Sequence, residues 1–120
     1  MSGKLTTHIL DTVHGCPAAN VAIELWAIDP ASGQKTLLKT IRTNSDGRTD
    51  TPVLIGDEFQ IGTYELVFAI GDYFSQRQLS LSEPRFLDRV PIQFGIADRT
   101  AHYHVPLLAT PWSYTTYRGS

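Results

Sequence analysis

The sequence predicts an all-β fold, a sandwich or barrel of short strands. Short runs alternate apolar with polar side chains, the period of a half-buried strand. Turn signals built from Gly, Pro, Asn and Asp recur at close intervals between those runs. Only residues 71–79 carry a plausible helical pattern. Close-set strands of this kind are characteristic of sandwiches and barrels.

Residues 4–11 read as the first strand, with Leu5, Thr7 and Ile9 on one face and Thr6, His8 and Leu10 on the other. His14-Gly15-Cys16-Pro17 is a turn. Residues 20–28 alternate again, with Val21, Ile23 and Leu25 inward and Glu24 and Trp26 together outward. Asp29 to Gly33 has hairpin-turn length and composition, and residues 36–43 form the returning strand. Asn44-Ser45-Asp46-Gly47 is a tight turn in which Gly47 is expected at positive φ, so the backbone aims the Arg48 side chain. Residues 59–70 give one long strand or a pair, built on Tyr64, Leu66 and Phe68. The helix follows at 71–79 with Asp72 as N-cap, then a loop containing Pro84, then a strand at 90–96.

The last two strands are the ones on which function turns. In the segment 101–108, His102, His104, Pro106 and Leu108 share one face, and Tyr103, Val105 and Leu107 form the core face. Pro106 cannot donate to a ladder, so this strand is expected at an edge or with a bulge. After a turn at 109–112, residues 114–120 finish on Tyr117-Arg118-Gly119-Ser120.

Composition bounds the function. The chain has 120 residues and reads as one domain, 1–120, without repeat or linker. Hydrophobic residues make up 42% and charged residues 18%, which suits a packed globule rather than disorder. A formal net charge of -2 excludes a basic field for nucleic acid or anionic membrane. No apolar run has bilayer-spanning length. The first residues show no secretory leader, so the expected setting is cytoplasmic, with a periplasmic one open if a leader has been removed. Cys16 is the single cysteine, so no disulfide forms within the chain.

Taken singly, His8, Arg48, His104 and the tail are ordinary: strand histidines are mostly surface residues, and an Arg after Asp-Gly is mostly a solvated turn residue. Alternating histidines could ligate zinc, with His8 as third ligand, but the spacing is no specific signature and no acidic or cysteine partner lies near it in sequence. No metal and no cofactor are expected. Cys16 lacks a base for nucleophilic work, and neither a serine-hydrolase elbow nor a phosphate-cradling glycine pattern is present.

Jointly these segments resemble the transthyretin-related proteins. Leu5-Thr6-Thr7-His8-Ile9-Leu10-Asp11 with Gly15-Cys16-Pro17-Ala18 looks like their N-terminal motif. Thr43-Asn44-Ser45-Asp46-Gly47-Arg48 looks like the middle one. His102-Tyr103-His104-Val105-Pro106-Leu107-Leu108 and Tyr117-Arg118-Gly119-Ser120 look like the C-terminal ones. That tail separates the family's enzymes, the 5-hydroxyisourate hydrolases, from its hormone carriers, the transthyretins.

The resemblance implies a transthyretin-like β-sandwich of two four-stranded sheets with one short helix. It implies a homotetramer with active sites in the channel between dimers. It places His8, Arg48 and His104 as catalytic, and His8, Arg48, Tyr117, Arg118, Gly119 and Ser120 as substrate-binding. The implied reaction is hydrolysis of 5-hydroxyisourate to 2-oxo-4-hydroxy-4-carboxy-5-ureidoimidazoline in urate degradation to allantoin. Imidazole, with an ordinary pKa of about 6.5, suits activation of water. Arginine suits polarising ring carbonyls, and a salt bridge at Arg118 would anchor the tail. The sequence leaves open which histidine is the base and whether His102 contributes. A carrier of an aromatic ligand without chemistry is the alternative, and a structural sandwich module is a third reading.

Overall fold

The computed structural model describes residues 3–77 and 79–119. Among these residues nine strands and one α-helix follow in the order β1 (Lys4–Asp11), β2 (Cys16–Pro17), β3 (Ala22–Ile28), β4 (Lys35–Arg42), β5 (Leu54–Ile55), β6 (Gly62–Ala69), α1 (Ile70–Gln76), β7 (Arg89–Ile96), β8 (His102–Ala109) and β9 (Tyr114–Thr116). A 3₁₀ turn, Gly56–Glu58, follows β5. The sheets run β2-β1-β8-β9, with β5 also on β1, and β4-β3-β6-β7.

The first sheet therefore has five strands rather than the four expected. Its width is still four, because β2 and β5 share one edge of β1. β5 pairs with Lys4 and Leu5, β2 with Leu10 and Asp11, and a lone bridge joins His8 to Arg48 between them. Neither two-residue strand has a readable period, which is why the sequence shows a turn at Cys16-Pro17 and nothing at Leu54.

Alternation decides what is buried. Leu5 and Ile9 of β1, Ile23 and Leu25 of β3, Leu66 and Phe68 of β6, and Tyr103, Val105 and Leu107 of β8 fill the space between the sheets. Full burial of each such aliphatic side chain stabilises by about 1.5–3 kcal/mol. Thr7, Asp11, Thr43 and Glu65 are the buried polar residues among those described, and the first two sit on β1. Thr7 Oγ1 donates to the Val105 carbonyl at 2.7 Å. The Asp11 carboxylate accepts from the Val13 and His14 amides, the His14 ring and the Tyr73 hydroxyl, all within 3.0 Å. Burial alone would raise the Asp11 pKa, but those donors outweigh it and hold the carboxyl below its usual range.

Two expectations are corrected here. The helix leaves β6 without a turn, so Ala69, not Asp72, is its N-cap, and no side chain caps it. The Gly71 amide, otherwise an orphan of the first turn, donates to the Asp88 carbonyl at 2.9 Å. Asp72 instead accepts from Arg85 at 2.7 Å. The other correction concerns Pro106, whose strand is neither an edge nor bulged. β8 lies between β1, parallel to it, and β9, antiparallel. The Pro106 nitrogen faces β9 at the rung where Tyr117 would stand, and pairing on that side stops at Thr116 and resumes with Gly119 opposite His104. The two unpaired positions between those points accommodate the imide, and Thr116 Oγ1 donates to the Pro106 carbonyl at 2.8 Å.

Candidate active site

The outer face of the first sheet is set by the parallel pairing of β1 with β8. Lys4 stands opposite His102, Thr6 opposite His104, His8 opposite Pro106 and Leu10 opposite Leu108. Two strands almost a hundred positions apart in the chain thus place three imidazoles on three successive outward-facing pairs. Each is outward for the same local reason that Leu5, Ile9, Tyr103 and Leu107 are inward.

Arg48 reaches this face through the 44–48 turn. The Asn44 side chain accepts from the amides of Asp46 at 2.9 Å and Arg48 at 3.2 Å, and the Asn44 amide donates to the Arg48 carbonyl at 2.7 Å. Gly47 has φ of 74°, as expected, and a Cβ there would collide with the Ile9 carbonyl. Only glycine lets the turn sit so close against β1. The Gly47 carbonyl in turn accepts from the Ile9 amide at 2.8 Å.

A cleft of about 480 Å³ opens on this face, walled chiefly by Lys4, Thr6, Arg48, Asp50, His102 and His104. His8 stands beside it rather than in its wall. Its Nε2 lies 2.8 Å from the Asp46 carbonyl oxygen. A carbonyl only accepts, so Nε2 carries the proton, and the open nitrogen of a neutral His8 is Nδ1. His104 is half-buried, and its Nδ1 lies 2.8 Å from Thr6 Oγ1. Burial first, then the positive charge of His102, Arg48 and His8, pushes the His104 pKa down. His102 is also pushed down, by burial and by Lys4. Both causes favour the uncharged imidazole of His104, which is the form a base requires.

The tail divides. The Gly119 amide donates to the His104 carbonyl at 2.7 Å, and its α-carbon lies against the imidazole. Arg118 turns to the opposite side, its guanidinium carbon 4.1 Å from the centre of the Tyr103 ring. Among the described residues this stacking is the contact that holds Arg118. Tyr117 is exposed and lines a separate groove with Arg118, Ile92 and Phe94. Ser120 lies outside the described residues. The structure thus brings together His8, Arg48, His104 and Gly119, and sets Tyr117 and Arg118 apart on the monomer. Thr6 was missed by sequence reasoning, although its place on the His8 face was legible. A threonine on a strand is an ordinary β-former, and its two histidine contacts depend on the register with β8. Among the described residues, no three His, Cys, Asp or Glu side chains converge as a metal ion would require.

Fold and cleft define a class: a small β-sandwich protein with imidazole and guanidinium groups gathered on one outer sheet face. The family model described as the HIUase/Transthyretin family matches residues 5–119, and the chain belongs to that family. It is 53% identical over 118 residues to the 5-hydroxyisourate hydrolase of Pseudomonas aeruginosa, covering 98% of this chain and 92% of that protein. A crystal structure of (S)-allantoin synthase superposes with a TM-score of 0.92 at 45% identity over 99% of this chain, which spans only 44% of that longer one. Sea bream transthyretin in complex with thyroxine superposes with a TM-score of 0.85 at 26% identity, over 97% of this chain and 94% of that one.

Proposed function

We propose that the chain is a hydrolase that opens 5-hydroxyisourate to 2-oxo-4-hydroxy-4-carboxy-5-ureidoimidazoline, a step of urate breakdown towards allantoin. The reading is carried by the gathering of an uncharged imidazole, an arginine and the tail backbone on one strand face. It is supported by the 53% identity to a protein of that name.

The chemistry follows from the groups. His104, uncharged, takes a proton from water through Nε2, its nitrogen not engaged by Thr6. The hydroxide adds to the ring carbonyl carbon. Arg48, a fixed fork of donors, stabilises the oxygen that becomes negative. The carbon–nitrogen bond then breaks, the nitrogen receives the proton from the imidazolium, and the carbon keeps the new carboxyl. Lys4 adds positive potential for a flat, polar, anionic ring, and His8 offers Nδ1 as a second acid–base group. Tyr117, Arg118, Gly119 and Ser120 close and shape the site.

The protein works as a homotetramer, with sites in the channel between dimers. Support comes from the outer face itself, where Leu10 and Leu108 stand partly exposed beside the polar cleft, a mixture suited to a partner surface. Tyr117 and Arg118 would meet the cleft, or its neighbour, only in such an assembly. Sedimentation equilibrium should give about four chains per particle, and a monomer at micromolar concentration would overturn this arrangement. No helix among the described residues is long and apolar enough to cross a membrane. A cytoplasmic setting is in keeping with the free thiol of Cys16.

The deciding experiment generates 5-hydroxyisourate with urate oxidase in the cuvette and follows the decay of its near-ultraviolet absorbance. Catalytic amounts of the protein should speed the decay, equally after exhaustive chelation. Decay at the spontaneous rate, with ligand binding but no turnover, would instead establish the carrier reading. Activity lost to chelator and restored by zinc would establish a metal mechanism.

A further inference from the structure

We propose that Thr6 and His102 form a hydrogen-bonded chain that fixes His104 in its Nδ1–H tautomer and so leaves the Nε2 lone pair free in the cleft. The inference rests on the reading of His104 as the base. Thr6 Oγ1 lies 2.6 Å from His102 Nε2 and 2.8 Å from His104 Nδ1. A hydroxyl carries one proton, so it donates to one ring and must accept from the other. The two rings stand edge-on, 6.1 Å apart at 62°, at adjacent outward positions of one strand. Thr6 is the only bridge that the described contacts provide between them.

Two arrangements satisfy that geometry when both imidazoles are uncharged. In one, His104 Nδ1–H donates to Thr6, Thr6 donates to His102 Nε2, and His104 Nε2 is bare. In the other, every proton is reversed, and His104 Nε2 carries a hydrogen that cannot abstract one from water. His102 is exposed, so water satisfies its remaining nitrogen in either case. The burden of choice therefore falls on the cleft, where the two positive charges of Lys4 and Arg48 outnumber the one carboxylate of Asp50. A bare nitrogen presents the negative end of the ring dipole to that charge, and an N–H would present the positive end. Electrostatics thus favours the first arrangement. Thr6 and His102 are positioning residues here, since they act through His104.

The register explains why a threonine is needed. Thr6 is the cross-strand partner of His104 and His102 the partner of Lys4, so the reach from Thr6 to both rings is one side chain long. Serine keeps the hydroxyl, and valine keeps the β-branched shape and removes it.

The test combines nitrogen NMR with kinetics. In protein labelled with ¹⁵N-histidine, long-range proton–nitrogen correlations at pH 8 should show His104 protonated at Nδ1 and bare at Nε2. Thr6→Val should give a mixed or reversed tautomer and lower kcat roughly tenfold or more, as loss of a group that orients a base does, with KM little changed. Thr6→Ser should restore both, and His102→Gln should give an intermediate loss. A wild-type His104 protonated at Nε2 would overturn the proposal, as would a Thr6→Val protein with native tautomer and native kcat. Should Thr6→Val fail to fold, the wild-type spectrum still decides. His104→Asn separates the two readings: if it retains activity, His104 is not the base, whatever its tautomer. If it is inactive while Thr6→Val is normal, the base stands and the chain falls.

Discussion

Adding one methyl group to the tail tests whether it governs the imidazole. A Cβ built on Gly119 would lie 2.7 Å from His104 Cδ2 and 3.2 Å from its Cγ and Cβ. Ordinary carbon–carbon contact is about 3.5–4.0 Å, so Gly119→Ala forces a separation of about 1 Å. The tail can yield by giving up the Gly119 amide bond to the His104 carbonyl, a loss of about 1 kcal/mol. Alternatively the imidazole can rotate away from Thr6 and lose its 2.8 Å bond. Either path moves the base relative to the tail, and a misplacement of about 1 Å costs on the order of a hundredfold in rate. The folded state should hardly notice. The core lies on the other face of β8, and an alanine also restricts the unfolded chain, an opposing gain of about 0.4–1 kcal/mol. The assay is initial-rate ring opening of 5-hydroxyisourate alongside thermal melting. We expect kcat/KM to fall about thirty- to a hundredfold while Tm moves by a few degrees at most. A Gly119→Ala protein with native kcat and KM would refute the reasoning, since the tail would then have no hold on His104.

Other measurements probe separate links. Deleting residues 117–120 should nearly abolish activity; it removes the Arg118–Tyr103 stacking and one backbone bond, about 1–2 kcal/mol together, so a truncated protein of native rate would make the tail irrelevant. Burial and neighbouring positive charge lower the His104 pKa, so the active neutral form prevails above that value and is lost as pH falls through it. The acid limb of kcat/KM should therefore have its midpoint below about 6.5, and a midpoint above that value would contradict the assignment. Tyr73→Phe removes a 2.7 Å bond to the buried Asp11 carboxylate and should lower unfolding free energy by about 1.5–3 kcal/mol in denaturant titration. Because the Asp11 pKa is depressed in the folded state, that carboxylate's contribution is present above its unfolded pKa near 4 and disappears as pH falls through the folded value. An unchanged midpoint would show that the bond contributes nothing net.

Much of this was determined by sequence alone, because a strand's facing is a local property. The side chains at Thr6, His8, His102 and His104 project opposite to Leu5, Ile9, Tyr103 and Leu107 wherever the strands lie, since backbone geometry alternates every residue. The positive φ at Gly47 was likewise legible from the Asn-Ser-Asp-Gly turn. What only the tertiary structure decided is pairing. That β1 lies parallel to β8, with Thr6 opposite His104, depends on joining segments nearly a hundred residues apart, and no local preference encodes which rung meets which. The same holds for Arg48 beside His8, for Gly119 on the imidazole, and for the gap in pairing that admits Pro106 to an internal strand. The helix start went unread for the reverse reason: its orphan amide is satisfied by Asp88, a residue beyond the helix, rather than by a side-chain cap within it. Local sterics orient the side chains, and long-range register decides which of them meet to form a site.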